Sequence, residues 1–249
     1  MRSDYYQEQR DMFLYIALEL CPASLADIID SPQRHQELAS AFNPKKAMFQ
    51  ITSGLKHLHS LKIIHRDLKP QSVDYEKYCV IIAELFGFSR NVLITVNSSG
   101  QQRMVLSDFG LAKRLDQGQS SYLQTGNHPV GTTGWLAPEC LTGEVDLEQG
   151  FDGSSSRHSR YTDDDGPKRF DAPKPKHGRL TRAVDLFALG CVYYYVITSG
   201  GHPYGGRYDR DRNIIRDEKD LSALNSYGED GFEAKVLITK LLSPEAKQR

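Results

Sequence analysis

The distribution of apolar and polar positions divides the chain into a few regular elements. Residues 12–20, MFLYIALEL, form a dense apolar run with aromatic and β-branched members, which predicts a strand. Apolar residues then recur at helical spacing between residues 44 and 60. This stretch directly follows the pair Asn43-Pro44, which is typical of a helix start with asparagine as the N-cap. The pattern therefore predicts one amphipathic helix that ends near residue 60.

The later pattern adds a hairpin and further helices. The strands NVLITV and RMVLSD are separated by the turn NSSG, which predicts a β-hairpin. The segment AVDLFALGCVYYYVI is apolar almost all round, which predicts a buried helix capped by Thr181. Ser24 precedes a short helical stretch, LADIID, and EAKVLITKLL predicts the last amphipathic helix. The sequence thus predicts an α+β fold that is mainly helical, with its short strands in the first half.

Two stretches lack regular periodicity. Residues 108–139 are polar and rich in Gly, Ser and Thr, which predicts a long loop. Residues 142–180 include GSSSRHSR and PKRFDAPKPKHG and have no repeating apolar pattern. A segment of this composition buries too little apolar surface to fold, so we expect a disordered insertion there.

Composition narrows the possible functions. The net charge is −1, from 31 basic and 32 acidic residues, so electrostatics give no reason to expect nucleic-acid or anionic membrane binding. No basic, apolar leader begins the chain, and no apolar run approaches the roughly 20 residues of a membrane helix. We therefore expect a soluble, cytoplasmic chain. The cysteines form no CxxC pair and are interpreted as thiols in a reducing compartment: Cys21, Cys79, Cys140 and Cys191.

Three short motifs occur in a fixed order along the chain. They are HRDLKP at residues 65–70, SDFG at residues 107–110 and APE at residues 137–139. Each alone is a weak signal, since a lone aspartate is more often a turn or cap residue. Together they resemble the catalytic loop, the metal-binding motif and the end of the activation segment of eukaryotic protein kinases. The expected architecture is a mainly helical C-lobe with only the last strands of the N-lobe.

This resemblance implies roles for four side chains in phosphoryl transfer. Asp67 would accept or orient the proton of the substrate hydroxyl, and Lys69 would contact the γ-phosphate of ATP. Lysine at this position favours serine/threonine over tyrosine kinases. Asp108 would ligate Mg²⁺, and Thr132 in GTTGW would bond the catalytic aspartate and lysine.

The resemblance also implies structural and regulatory residues. Asp185 would anchor the backbone of the catalytic loop, because a buried carboxylate needs such donors. Glu139 is expected to pair with Arg249, and His65 to pack. Arg66 beside the catalytic aspartate implies activation by a phosphate in the activation loop. The candidate phosphate acceptors lie in that loop: Ser120, Ser121, Tyr122 and Thr125.

Longer strings narrow the family. LYIALELCPASLADII, GTTGWLAPE and GCVYYYVITSGGHPYGGRYDRDRNII resemble the inositol-requiring kinase–endoribonucleases of the unfolded protein response. The resemblance implies that backbone groups of Glu19 and Cys21 bind adenine, with Leu18 as gatekeeper. It also implies autophosphorylation across a homodimer, and a parent protein at the cytosolic face of the endoplasmic reticulum membrane.

One departure from the family pattern interrupts the catalytic loop. An asparagine that holds a second Mg²⁺ should follow HRDLKPQ, but Ser72 stands there. Removing residues 72–90 joins Gln71 to Asn91 and restores HRDLKPQNVLITV. We therefore predict that Asn91 is the metal ligand. The intervening segment is either a retained intron that is read in frame or a true loop insertion.

The chain divides into residues 1–22, a remnant of the N-lobe and hinge, and residues 23–249, the C-lobe. The Gly-rich loop, the β-strand lysine and its glutamate partner would precede residue 1, so we expect the chain as given to be inactive. Family members carry a ribonuclease module beyond the position of Arg249, and that activity is not assigned to these residues. The alternative hypothesis is a non-catalytic scaffold that acts through dimerisation.

Overall fold

The computed structural model describes residues 19–70, 91–123, 129–142 and 179–249. Their helices are α1 (Leu25–Asp30), α2 (Gln36–Ser40), α3 (Pro44–Ser60), α4 (Pro138–Thr142), α5 (Ala183–Ile197), α6 (Arg210–Ile215) and α7 (Gly228–Leu241). Their strands are β1 (Ala23–Ser24), β2 (Ile63–Ile64), β3 (Val92–Val96), β4 (Gln102–Leu106), β5 (Lys113–Arg114), β6 (Ser121–Leu123) and β7 (Arg179–Thr181). The fold is α+β, as predicted.

The predicted helix starts are confirmed by their caps. Ser24 Oγ accepts from the backbone nitrogen of Asp27 at 3.2 Å, and Asp27 Oδ2 accepts from the Ser24 nitrogen at 2.8 Å. This reciprocal capping box satisfies two N–H groups that helix α1 leaves unpaired. At α3, Asn43 Oδ1 accepts from the Lys46 nitrogen at 2.9 Å, and Pro44 occupies the first helical position.

The strands form three small antiparallel sheets. Strands β3 and β4 form the predicted hairpin, in which Val92 lies opposite Leu106. Strand β1 pairs with β3 on the side away from β4. Strand β2 pairs with β5, and β6 pairs with β7. Strands β5 and β6 lie within residues 108–139, where a long loop was predicted, so that segment also contains two short strands. Short strands of this kind form because a distant partner offers backbone groups, which local sequence does not show.

Helix α5 forms the centre of the core, as its apolar sequence predicted. It packs against α3 and α7, and Phe187 and Cys191 on it are fully buried. Gly190 allows α7 to approach closely, since an added Cβ would lie 2.9 Å from Leu241 Cβ. Thr181 is not the N-cap that was predicted, because α5 begins after Arg182; its Oγ1 nevertheless accepts from the Ala183 nitrogen at 3.2 Å.

Several predictions concern residues that the structure does not describe. They are Leu18, Thr125, the predicted strand up to residue 18, the segment 72–90 and most of the segment 142–180. The bounds of the last segment need correction, because Thr142 ends α4 and Arg179–Thr181 form β7. Tertiary pairing orders these ends although their composition is polar. Within the described ranges, no helix has both the length and the apolar character to cross a bilayer.

Candidate active site

The segment 65–70 follows β2 and is held in shape by a carboxylate from α5. Asp185 Oδ2 accepts from the His65 nitrogen at 2.9 Å, and its Oδ1 accepts from the Arg66 nitrogen at 2.8 Å. His59 Nε2 lies 2.8 Å from the same carboxylate, whose residue is 1% exposed. A carboxylate so deeply buried is stable only with such partners. Asp185 therefore anchors this loop, as the resemblance to protein kinases implied.

The Asp67 carboxylate is the centre of a buried polar cluster. Its Oδ1 accepts from Thr132 Oγ1 at 2.6 Å, and its Oδ2 lies 3.0 Å from Lys69 Nζ. Lys69 Nζ also donates to Thr132 Oγ1. Asp67 and Lys69 are both 6% exposed, so their charges attract each other at low local dielectric. The structure thus brings together the three side chains that were predicted to be catalytic.

Asn91 joins this cluster from the start of strand β3. Its amide nitrogen donates to Asp67 Oδ2 at 2.9 Å and also to the Asp67 backbone carbonyl. The residue is fully buried, although 24 positions separate it from Asp67 in the sequence. With its amide nitrogen directed at Asp67, the atom that could hold a metal is its amide oxygen, a hard ligand of the kind Mg²⁺ prefers.

Asp108 closely follows strand β4, and its neighbours Ser107 and Phe109 contact His65 of the catalytic loop. His65 Nε2 lies 3.0 Å from the Ser107 carbonyl oxygen, and the His65 and Phe109 rings are 5.5 Å apart. His65 therefore packs, as was predicted. Asp108 has a φ of 57°, a left-handed conformation, and its side chain accepts from the Gly110 nitrogen at 3.1 Å. Non-glycine residues in this conformation are concentrated at functional sites.

The two residues that were predicted to hold metal carry oxygen ligands of the kind that Mg²⁺ prefers. Within the described segments, no group of three or more His, Cys, Asp or Glu side chains could hold a metal ion. Asp108 and Asn91 offer one carboxylate and one amide oxygen. Mg²⁺ is commonly held by one or two protein oxygens together with substrate phosphates and waters, so this small set matches an ion that arrives with a nucleotide.

The two residues predicted to border adenine precede β1. The Glu19 side chain faces away toward the hairpin, where its Oε1 accepts from Thr95 Oγ1 at 2.6 Å and its Oε2 lies 3.3 Å from Arg103 Nη2. Cys21 is half-buried, and burial together with the nearby Glu19 charge raises the pKa of its thiol. The predicted adenine contacts are backbone contacts, and they remain a prediction.

Three of the predicted regulatory residues, Arg66, Ser120 and Ser121, lie in or near strand β6. Arg66 donates through Nε to the Leu111 carbonyl, and its guanidinium lies 5.4 Å from the centre of the Tyr122 ring. Ser121 is contacted by another arginine: Arg179 Nε donates to Ser121 Oγ at 2.8 Å. Ser120 is exposed. Sequence analysis missed Arg179, because its pairing partner is distant in the chain and no motif marks it.

A second ion pair holds Glu139 near the end of the segment that begins at Asp108. Arg249 Nη2 donates to Glu139 Oε1 at 2.5 Å, as was predicted, and the Arg249 guanidinium lies 5.5 Å from the Phe187 ring centre. Glu139 is 7% exposed. A buried pair of this kind fixes the end of the segment that begins at Asp108, because either charge alone would be costly to bury.

Comparison with known sequences agrees with this geometry. The sequence profile described as "Protein kinase domain" matches residues 3–249. The chain belongs to the protein kinase family. The match includes all three motifs, and Asp67 and Lys69 lie in the first of them.

The relatives of this kinase narrow its class. A serine/threonine-protein kinase/endoribonuclease IRE1 from Hypocrea jecorina is 40% identical over 249 residues, which cover 98% of this chain and 18% of the relative. The ireA protein of Aspergillus fumigatus, of the same description, is 40% identical over 98% of this chain and 20% of its own length. The "Sensor for unfolded proteins in the ER ire1" of Schizosaccharomyces pombe is 35% identical, with coverages of 98% and 20%.

The chain is a protein kinase domain, and the first two relatives are serine/threonine kinases by their descriptions. The kinase spans about a fifth of the length of the relatives that it matches. The rest of each relative lies outside the matched residues.

Proposed function

We propose that this kinase transfers the γ-phosphoryl group of ATP to serine or threonine hydroxyls of a second copy of its own protein, in signalling of unfolded proteins. The observation that carries the proposal is the buried cluster in which the Asp67 carboxylate contacts Lys69, Thr132 and Asn91. Phosphoryl transfer requires a group that orients the attacking hydroxyl and cations that offset charge on the phosphoryl oxygens, and this cluster supplies both kinds of group.

Asp67 orients the hydroxyl of the protein substrate in this proposal. Thr132 and Asn91 donate to its two carboxylate oxygens, so the side chain is fixed before a substrate arrives. Such preorganisation lowers the cost of reaching an in-line geometry. Lys69 lies beside the same carboxylate and places a positive charge where the transferred group must pass.

Asp108 and Asn91 would hold magnesium through a carboxylate oxygen and an amide oxygen, and Lys69 together with backbone groups of Glu19 and Cys21 would bind ATP. Magnesium, when bound, would neutralise charge on the phosphate groups of the nucleotide. Asn91 would keep its amide nitrogen on Asp67 throughout, so one residue would join the metal site to the group that orients the hydroxyl.

Activation is proposed to depend on a phosphate in the segment around β6. Ser121 is the acceptor that the structure favours, because its hydroxyl already contacts a guanidinium, that of Arg179. A phosphate there would gain charge-assisted hydrogen bonds and strengthen the pairing of β6 with β7. Ser120, Tyr122 and Thr125 remain the other candidate acceptors from the sequence, and Arg66 remains the other candidate to contact the phosphate.

The signalling role rests on the relatives. One of them is described as a sensor for unfolded proteins in the ER, and the two most identical among those compared are kinase/endoribonucleases. We propose that the intact protein is a homodimer at the endoplasmic reticulum membrane with its kinase on the cytosolic side. The described residues include no helix that could span a membrane, and the net charge of −1 of the whole chain gives no electrostatic reason to propose nucleic-acid binding.

The proposal is tested with the natural gene product, expressed from its native coding sequence. A size-tagged Asp67→Asn copy serves as substrate and the untagged wild-type protein as enzyme, with radiolabelled ATP and magnesium. We expect label on serine or threonine of the tagged copy, lost on chelation of magnesium. Unlabelled copies that still dimerise would support the non-catalytic scaffold instead.

A further inference from the structure

The loop that carries Thr132 is held by the start of helix α6. Asp211 Oδ1 accepts a hydrogen bond from the backbone nitrogen of Gly134 at 2.7 Å. Gly134 is buried, and 77 positions separate the two residues. A buried N–H without an acceptor is costly, and a charged acceptor makes the bond stronger than a neutral one. Asp211 therefore fixes the position of this loop by a contact that no motif in the sequence marks.

Two further side chains, those of Arg210 and His202, pack against the same loop. The Arg210 guanidinium lies 5.8 Å from the Trp135 ring centre, and the His202 ring packs edge-on against that ring at 4.9 Å. Burial, with the nearby Arg210 charge, lowers the pKa of His202, so this ring packs in its neutral form. The loop thus packs against both His202 and Arg210, the residue at which α6 begins.

Gly134 shows how closely the loop approaches the start of α6. Its φ of +84° is a conformation that favours glycine, and an added Cβ would lie 2.9 Å from Arg210 Cδ. The loop and the beginning of α6 are therefore fitted to each other, and a displacement of one requires a displacement of the other.

This contact leads directly to the catalytic cluster. The Trp135 nitrogen donates to the Thr132 carbonyl at 3.1 Å, which closes a tight turn from Thr132 to Trp135 around Gly134. At the other end of that turn Thr132 Oγ1 donates to Asp67 Oδ1 at 2.6 Å. A short series of hydrogen bonds therefore connects Asp211 with Asp67.

We infer that Asp211 is a positioning residue for phosphoryl transfer to protein substrates: by holding Gly134, and with Arg210 covering Trp135, it keeps the Thr132 hydroxyl on the catalytic carboxylate. The inference rests on the proposed function of Asp67 and Thr132. Asp211 does not touch the reacting atoms, so its loss should lower the rate of transfer to protein while leaving ATP binding intact.

The test compares Asp211→Ala, Asp211→Asn and Thr132→Val in the natural gene product, with myelin basic protein as the phosphate acceptor. Asp211→Ala should lower kcat/KM for this substrate at least tenfold, with KM for ATP changed less than about twofold. Asp211→Asn keeps an oxygen that accepts from Gly134 and should stay within about threefold of wild type. The matched control is Asp209→Ala, at an exposed carboxylate two residues earlier that pairs with Arg212 at 3.0 Å; it should stay within about twofold.

A double variant separates positioning from general damage. If Asp211 acts through Thr132, Asp211→Ala added to Thr132→Val should lower kcat/KM by less than about a further twofold. Independent, multiplying losses would overturn the inference, as would an Asp211→Asn variant as slow as Asp211→Ala. Should Asp211→Ala not fold, Arg210→Ala replaces it with the same expectation.

The kinetics of Asp211→Ala and Thr132→Val distinguish the role of Asp211 from that of the Asp67 cluster. Wild-type kinetics in Asp211→Ala together with a slow Thr132→Val variant would overturn the role of Asp211 alone. Wild-type kinetics in Thr132→Val would instead contradict the proposed function of the cluster on which that role rests.

Discussion

Asp185 holds the backbone of Arg66 from a distance of 119 positions in the sequence, through a 2.8 Å hydrogen bond to its nitrogen. Arg66 has a φ of +69°, a left-handed conformation that is uncommon for a residue with a side chain. Such a conformation costs on the order of 1–3 kcal/mol and persists only where the surroundings impose it. The shape of the catalytic loop is therefore set by a buried helix residue and not by the local sequence.

Replacing Asp185 tests this dependence. Asp185→Ala leaves the backbone N–H groups of His65 and Arg66 without their acceptor, which should lower the free energy of unfolding by about 3 kcal/mol. Urea denaturation measures this change. The control Glu233→Ala, at an exposed glutamate of α7, should alter it by less than about 0.5 kcal/mol. Equal effects of the two variants would contradict the anchoring role.

The Thr132 hydroxyl is predicted to matter for catalysis and not for folding. Thr132→Val removes the group that bridges Asp67 and Lys69 while keeping the side-chain shape, so kcat should fall by roughly 10²-fold. Thr132→Ser retains a hydroxyl and should remain within about tenfold of wild type. Steady-state phosphorylation of a protein substrate measures both, and a serine variant as slow as the valine variant would argue against the hydroxyl.

Arg179 is predicted to receive a phosphate on Ser121. Ser121→Ala should abolish the gain in activity that follows autophosphorylation, and Arg179→Ala should reduce it several-fold, because the new charge would lose its closest guanidinium. The rate is measured before and after phosphatase treatment. Ser120→Ala is the matched control and should respond like wild type. A response lost in Ser120→Ala and retained in Ser121→Ala would reverse the assignment.

The buried thiol of Cys140 predicts a loss of stability at alkaline pH. Burial raises the pKa of this thiol to about 12 from 9.0, so the unfolded chain releases its proton at lower pH than the folded chain does. The stabilising difference is present below pH 9 and is lost as the pH rises through about 12. Between pH 8 and 10 this titration should lower the free energy of unfolding by about 1 kcal/mol.

Cys140→Ala supplies the comparison, because other groups also titrate in this range. The free energy of unfolding of wild type should fall more steeply from pH 8 to 10 than that of the variant. Parallel curves for the two proteins would show that the thiol is not protected by the fold. Alkylation of the folded chain followed by peptide mass spectrometry gives an independent measure of its accessibility.

Some of the site could be predicted from the sequence because the chemistry specifies residue types at short spacing. The cluster of Asp67, Lys69 and Thr132 was predicted from motifs, and the structure brings these side chains together. Asn91 was predicted only because removing residues 72–90 from the sequence restores the family motif. Its side chain does contact Asp67. The catalytic and metal-binding roles of these residues stay predictions until the variants are measured.

Other parts could not be predicted, since they depend on contacts between distant segments. The pairing of β6 with β7 involves three residues on each side, too few for a periodic signal. The contact of Arg179 with Ser121 follows from that pairing. Asp211 lies in a polar stretch of the sequence that gives no reason to assign it a role. Its contact with Gly134 exists only in the folded chain.

Asp67→Asn tests the central claim most directly, because the amide keeps the size of the side chain and removes its charge. In the natural gene product we expect phosphate transfer to myelin basic protein to fall by at least about 10³-fold, with ATP affinity changed less than about threefold. Asp116→Asn, at an exposed aspartate, is the control and should have wild-type kinetics. Transfer by Asp67→Asn at a rate near that of wild type would contradict the account.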